Sequence, residues 1–291
     1  MRARADALTA WGFLLPTLAL LAVLAAYPVA YALYLATTTA TVSGPGRFVG
    51  AGNLLRLLRT DLFTLTLWNT AAYTAAAVTA KLVLGLVLAL VLARRAPGMK
   101  WIRGAILIPW VAPSSLSVLA WTWMFDSTYS VFNWVLMRAG LIATPIGWLG
   151  VPGLARLAVV VVNVWSGLPF FAINFLAGLM TIPDELHESA RVDGAGAVAR
   201  FRALTLPLLR PVLATVLLFS VIMTSSDFAT VFVLTRGGPV NATQVLATLA
   251  FKLGLATGDL GEAAAISLCL FPLLAAATYM QVRLMRRTWR W

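Results

Sequence analysis

PDELHESARVDGAGAVARFRALTLPLLRP, running from Pro183 to Pro211, is a polar island in an otherwise oily chain. It carries Asp184, Glu185, Glu188 and Asp193, four of the ten acidic residues, with Arg191, Arg200, Arg202, Arg210 and the one histidine, His187. Hydrocarbon offers charges no hydrogen-bond partners, so such a segment between apolar runs must face water or another protein.

The rest of the composition sets the frame. Of 291 residues, 61% are hydrophobic and 11% charged, with a mean hydropathy of +0.89. A soluble domain carries roughly 25% charged residues. This chain cannot cover itself with polar surface, which makes it an integral membrane protein. Its net charge of +12 fits basic loops between spans better than a nucleic-acid surface, so no nucleic acid is expected. One cysteine, Cys269, supports neither a disulfide framework nor a metal cluster. Arg2 and Arg4 precede an apolar run from Trp11 to Leu35. That run is too long for the roughly 7–15-residue core of a signal peptide, so it reads as a retained first helix.

A membrane helix needs about 20 mainly apolar residues. Six segments qualify, at about 11–35, 66–93, 104–125, 155–181, 207–235 and 261–284. The expected fold is an all-α membrane protein with six transmembrane helices in one domain over residues 1–291. Orientation follows from Lys and Arg. One side holds Arg2, Arg4, Arg94, Arg95, Lys100, Arg103, Arg191, Arg200, Arg202, Arg210, Arg283, Arg286, Arg287 and Arg290. The other holds half as many: Arg47, Arg56, Arg59, Arg138, Arg156, Arg236 and Lys252. The bias puts both termini, and the polar island, on the cytoplasmic side. Trp110, Trp121, Trp123, Trp134, Trp148 and Trp165 are read as mostly interfacial indoles.

Within the island, Pro183 restarts the chain, and Asp184 and Glu185 suit the positive end of a short helix. Gly194 in Asp193-Gly-Ala-Gly196 marks a sharp end to it. A second amphipathic segment follows, with Val198, Phe201, Leu204 and Thr205 at helical spacing, and Pro207 and Pro211 open the fifth span. Read from its residues alone, the island is a bent pair of helices: a connector in the headgroup region or a handle for another protein.

Glu188-Ser189-Ala190, Asp193-Gly194-Ala195, Phe201 and Leu204-Thr-Leu-Pro207 resemble the signature of ABC importer permeases. The signature is Glu-Ala-Ala, three residues, Gly, nine residues, a branched apolar residue, one residue, Leu-Pro. This chain differs in carrying Ser189 for Ala and Leu204 for Ile. Trp123-Met-Phe125 to Asn133, Trp165-Ser-Gly-Leu-Pro169, Leu176 to Pro183, Asp227-Phe228 and Leu234-Thr-Arg-Gly-Gly-Pro239 with Ala242-Thr243 resemble the sugar-permease branch, over roughly residues 65–285. The resemblance implies a type I importer permease fold in which residues 183–206 form a cytoplasmic coupling segment. Glu188, Ser189, Ala190, Asp193, Gly194, Ala195, Phe201 and Pro207 would then dock on a separate ATPase subunit. It also implies a second homologous permease subunit, two ATP-binding cassette subunits holding ATP and Mg, an extracytoplasmic substrate-binding protein, and a prokaryotic cell membrane. The chain has no G-x-x-x-x-G-K-[ST] phosphate loop, so it is not expected to hydrolyse ATP or to hold a cofactor itself.

Polar residues inside spans usually face inward. Asn163, Ser166, Gly167, Phe170 and Asn174 fall on one helical face, as do Ser220, Met223, Thr224 and Asp227. Amides, hydroxyls and an aromatic ring are what a sugar needs, and the resemblance assigns substrate contacts to these two helices; helix-to-helix polar packing is the plainer reading. Lys81 is the oddest residue, a charge in mid-span: either it faces Asp227 or shares a wet cavity with it, or it snorkels toward the surface or contacts a partner subunit. A stand-alone secondary transporter or channel is the alternative, but no internal repeat or intramembrane charge chain supports it. A membrane enzyme lacks its chemistry, since His187 has no Cys or paired carboxylate with it.

Overall fold

The computed structural model describes residues 2–94 and 96–288. Arg95 and Arg290, both part of the charge bias, lie outside the described residues. The chain is helical throughout, with isolated bridges but no strand among the described residues. It begins with α1 (Arg2–Leu21), which passes through a π turn (Ala22–Ala26) into α2 (Tyr27–Ala36). Then come α3 (Gly52–Leu58), α4 (Asp61–Leu92), α5 (Met99–Ala105), α6 (Ile108–Val111), α7 (Ser114–Met124) and α8 (Val131–Arg138). After α9 (Pro152–Met180) and α10 (Asp184–Val192), α11 (Ala197–Arg200) runs through a second π turn (Phe201–Thr205) into α12 (Leu206–Ser225). The chain ends with α13 (Ala229–Leu234), α14 (Leu246–Phe251), a third π turn (Lys252–Ala256) and α15 (Leu260–Thr288).

Among the described residues, five helices are long and apolar enough to cross a membrane: Trp11–Ala36, Asp61–Leu92, Pro152–Met180, Ala197–Ser225 and Leu260–Met280. A sixth is reached if Met99–Val111 and Ser114–Met124, bent by 91° to each other, count as one span. The expected straight span at 104–125 is therefore broken. Pro113 pushes Ala112 out of the helical region, to φ −63° and ψ 138°, and Pro109 sits in the first turn of α6.

The fifth span differs at both ends. Its helix starts at Ala197 rather than at Pro207, because the Leu206 N–H reaches five residues back to the Phe201 carbonyl. This widened turn relieves the clash that the Pro207 ring would make with the preceding turn, so the helix stays continuous. At the far end it stops at Ser225 instead of running to 235. The Asp227 carboxylate accepts the Thr230 N–H at 3.1 Å and caps the start of α13, which favours a break over another helical turn.

The residues group into two compact units, Met1–Phe63 with Leu249–Cys269, and Thr64–Thr248 with Leu270–Trp291. In the first, Asn53 is fully buried and donates to the carbonyls of Ala36 at 2.8 Å and Thr38 at 2.7 Å. Its Oδ1 accepts from Arg56, whose Nε also meets Glu262 Oε1 at 3.1 Å. One side chain thus ties the end of α2 to α3.

The second unit is built on α4, α9 and α12. Glycines set the helix spacing, since hydrocarbon supplies no hydrophobic drive and close approach must do the work. A Cβ at Gly85 would lie 2.5 Å from Phe171 Cβ, and one at Gly178 2.8 Å from Leu209 Cδ1. Around these contacts Ala89, Phe171, Phe175 and Val216 form one buried cluster; Tyr73, Ala77, Val118, Val162 and Val231 belong to another. Beyond α7, Asp126 accepts N–H bonds from Tyr129 at 2.8 Å and Thr128 at 2.7 Å, which hold its carboxyl below the usual range.

Candidate functional site

Inside the second unit, Lys81 projects from α4 and is only 4% exposed. Its Nζ donates to Asn163 Oδ1 on α9 and to Thr224 Oγ1 on α12, both at 2.9 Å. Asn163 Nδ2 then donates to Asp227 Oδ2 at 2.8 Å. The Tyr73 hydroxyl donates to the same oxygen at 2.7 Å. Lys81 and Asp227 thus share one network, joined through a neutral amide rather than by direct contact. Room for it comes from Gly167, where a Cβ would lie 2.8 Å from Lys81 Cδ.

The two expected stripes are only partly gathered here. Asn163, Gly167, Thr224 and Asp227 converge on Lys81. Ser166 and Asn174 spend side-chain donors on their own helix, bonding the carbonyls of Asn163 and Phe170. Ser220 is buried, and its hydroxyl finds no hydrogen-bond partner among the described residues. Met223 is more than half exposed. Phe170 lies within an aromatic group, 6.2 Å from the Trp110 ring and 5.1 Å from Phe219, and those two rings keep large open faces.

Sequence reading passed over Tyr73 and Phe219, and took Trp110 as an interfacial indole. For Tyr73 a signal existed: Thr70, Tyr73, Ala77 and Lys81 fall on one face of α4, and all four are buried. Trp110 stands beside the Pro113 bend and not at the end of a straight span. Trp121 and Trp148 pack with Phe125 and Phe132, and Trp148 Nε1 donates to Asn133 Oδ1 at 2.9 Å.

At the end of α9 away from α10, the loop from Thr235 to Gln244 is pinned to α4 and α9. Asn69 Nδ2 donates to the Asn241 carbonyl at 3.0 Å, and Arg156 Nε to that of Ala242 at 2.9 Å. Gly237 is obligatory there: its φ is +85°, and a Cβ would collide with the Gln244 side chain.

At the other end, α10 and α11 form the expected bent pair. Gly194 has φ +81°. Ala195 N–H bonds the Ala190 carbonyl at 2.9 Å and Gly194 N–H bonds that of Arg191 at 3.0 Å. This double closure is the Schellman arrangement, and only glycine takes its left-handed position without strain. Arg200 locks the second helix by donating to the Ala195 carbonyl at 2.6 Å. Glu188, Ser189, Asp193, Val192 and Val198 stand exposed around the bend, Ala190, Ala195, Phe201 and Pro207 half-buried.

The trehalose/maltose transport system permease protein MalF of Thermococcus litoralis is 36% identical over 242 residues, covering 82% of this chain and 81% of that one. The sulfoquinovosyl glycerol transport system permease protein SmoG of Agrobacterium fabrum is 36% identical over 284 residues, 97% and 91% of the two chains. A crystal structure of a bacterial ABC transporter involved in the import of the acidic polysaccharide alginate shares the fold, with a TM-score of 0.84 at 21% identity over 99% of both chains. The model of a family described as the inner membrane component of binding-protein-dependent transport systems matches residues 81–290. Together with the helical architecture of five or six candidate spans and the bent, exposed α10–α11 pair, these matches place the chain in that family, as a permease subunit of an ABC importer.

Proposed function

We propose that this subunit forms half of the translocation pathway for a sugar or related polyol and is driven by a separate ATPase subunit docked on α10. The observation that carries the reading is the meeting of α9 and α12. Their adjoining faces bring an amide, hydroxyls and a carboxylate together around Lys81, and farther along the same two helices Phe170 and Phe219 form a partly open aromatic group with Trp110. Hydroxyl-rich ligands are held by such donors and acceptors plus an aromatic surface. The two relatives, permease proteins of a trehalose/maltose and a sulfoquinovosyl glycerol transport system, support the substrate class.

The remaining assignments follow from the same reading. A second homologous permease subunit completes the pathway. Two ATP-binding cassette subunits supply ATP and Mg chemistry, and an extracytoplasmic binding protein delivers the ligand. Both termini and α10 face the cytoplasm, as the Lys and Arg bias supports. Exposed Glu188 offers the charged contact to the ATPase, and Ser189, Ala190 and Ala195 are small enough for close approach.

Two measurements test this. Co-expression with the ATPase subunit and affinity purification is expected to recover the complex from the parent chain, and to lose most of it with Glu188→Arg, since a reversed charge in an interface is repelled. Uptake of labelled trehalose or maltose into proteoliposomes is expected to require ATP and the binding protein. Uptake by this chain alone overturns the reading.

A further inference from the structure

We infer that Lys81 determines the charge selectivity of the pathway: it balances Asp227 across the bridging amide of Asn163, so that the polar face shared by α9 and α12 carries no net charge. This rests on the sugar-pathway reading and adds to it the charge class of the ligand.

An ammonium group can only donate. With Lys81 Nζ 2.9 Å from Asn163 Oδ1, the amide must turn its carbonyl toward the lysine and its NH2 away. That NH2 lies 2.8 Å from Asp227 Oδ2, which also takes the Tyr73 hydroxyl at 2.7 Å, while Asp227 Oδ1 takes the Thr230 N–H at 3.1 Å. The carboxylate therefore has three protein donors and, one amide away, a full positive charge. Thr224 accepts the second lysine proton at 2.9 Å, which leaves its own hydroxyl hydrogen to be donated elsewhere. Gly167 leaves the lysine room here, since a Cβ on it would stand 3.3 Å from Nζ.

Plain helix glue would explain the hydrogen bonds, but not a dependence of ligand choice on charge. An uncharged polyol meets only dipoles and hydroxyls at a balanced site. Removing either charge leaves the other uncompensated in a poorly screened span, where it acts over several ångströms.

The test is equilibrium binding of trehalose and trehalose 6-phosphate, which share one sugar frame and differ in charge. Binding is measured on the assembled transporter in nanodiscs with the binding protein omitted. Relative to the parent, Lys81→Met is expected to shift the affinity ratio about tenfold against the phosphate, and Asp227→Asn about tenfold toward it. The double variant is expected to return to within about threefold of the parent ratio. Unmoved ratios in both single variants, or a double variant that fails to return, overturn the inference. If the parent binds neither sugar, the sugar reading fails separately, and thermal melting of the complex decides the pairing. Each single variant then lowers Tm and the double recovers most of the loss, whereas additive losses overturn it.

Discussion

Ser220 is a buried hydroxyl on the same face of α12 as Thr224, one turn away, with no hydrogen-bond partner among the described residues. Leaving a polar atom in that state costs about 1–3 kcal/mol, so Ser220→Ala is expected to leave the melting temperature of the complex unchanged or to raise it. If the hydroxyl serves the ligand, the same variant weakens trehalose binding, and paired melting and binding curves separate the two effects. Much at this scale was legible in the sequence: helical spacing placed Asn163, Thr224 and Asp227 on facing stripes, and the rarity of mid-span charge singled out Lys81. What spacing cannot show is which polar atoms are already used. Ser166 and Asn174 share the stripe yet turn their donors onto their own helix.

Gly194 carries the sharpest prediction for an element. Its φ of +81° costs an L-residue about 1–2 kcal/mol. Gly194→Ala is therefore expected to loosen the α10–α11 bend. Protease nicking near residue 194 should rise, and recovery of the ATPase subunit on purification should fall, while the spans stay folded. The bend was readable because glycine and proline act locally. The 91° kink at Pro113 and the break at Ser226–Phe228 were missed for the opposite reason: both lie in long apolar runs, where window hydropathy stays high whatever the backbone does. Pro113 was the visible clue, and Asp227, which reads as a ligand group, was also a helix cap.

For the whole molecule, the first unit shows how little its surface charges should matter and how much its buried polarity should. Arg56 is half exposed where it meets Glu262, so Glu262→Gln is expected to cost under about 1 kcal/mol. Asn53→Ala strands the Ala36 and Thr38 carbonyls and the Arg56 contact together, and is expected to cost about 3 kcal/mol. Denaturant or thermal melting of the purified complex measures both. Apolar length revealed five spans and the stretch of a sixth whose bend it missed, and the signature spacing revealed the family. The ligand's identity lies in side-chain geometry and in partner chains that no single sequence carries. One last feature joins the α10–α11 bend to the Asp227 network. Because the π turn at Phe201–Thr205 keeps the helix unbroken, Ala197 to Ser225 is a single rod of 29 residues, about 43 Å long. The Gly194 bend lies at one end and the Asp227 break at the other. Tilting such a rod by about 5° about one end sweeps the other through about 4 Å, more than the length of a hydrogen bond. On the proposed docking of an ATPase subunit at α10, a lever of that reach would turn a small grip there into the making or breaking of the contacts around Asp227.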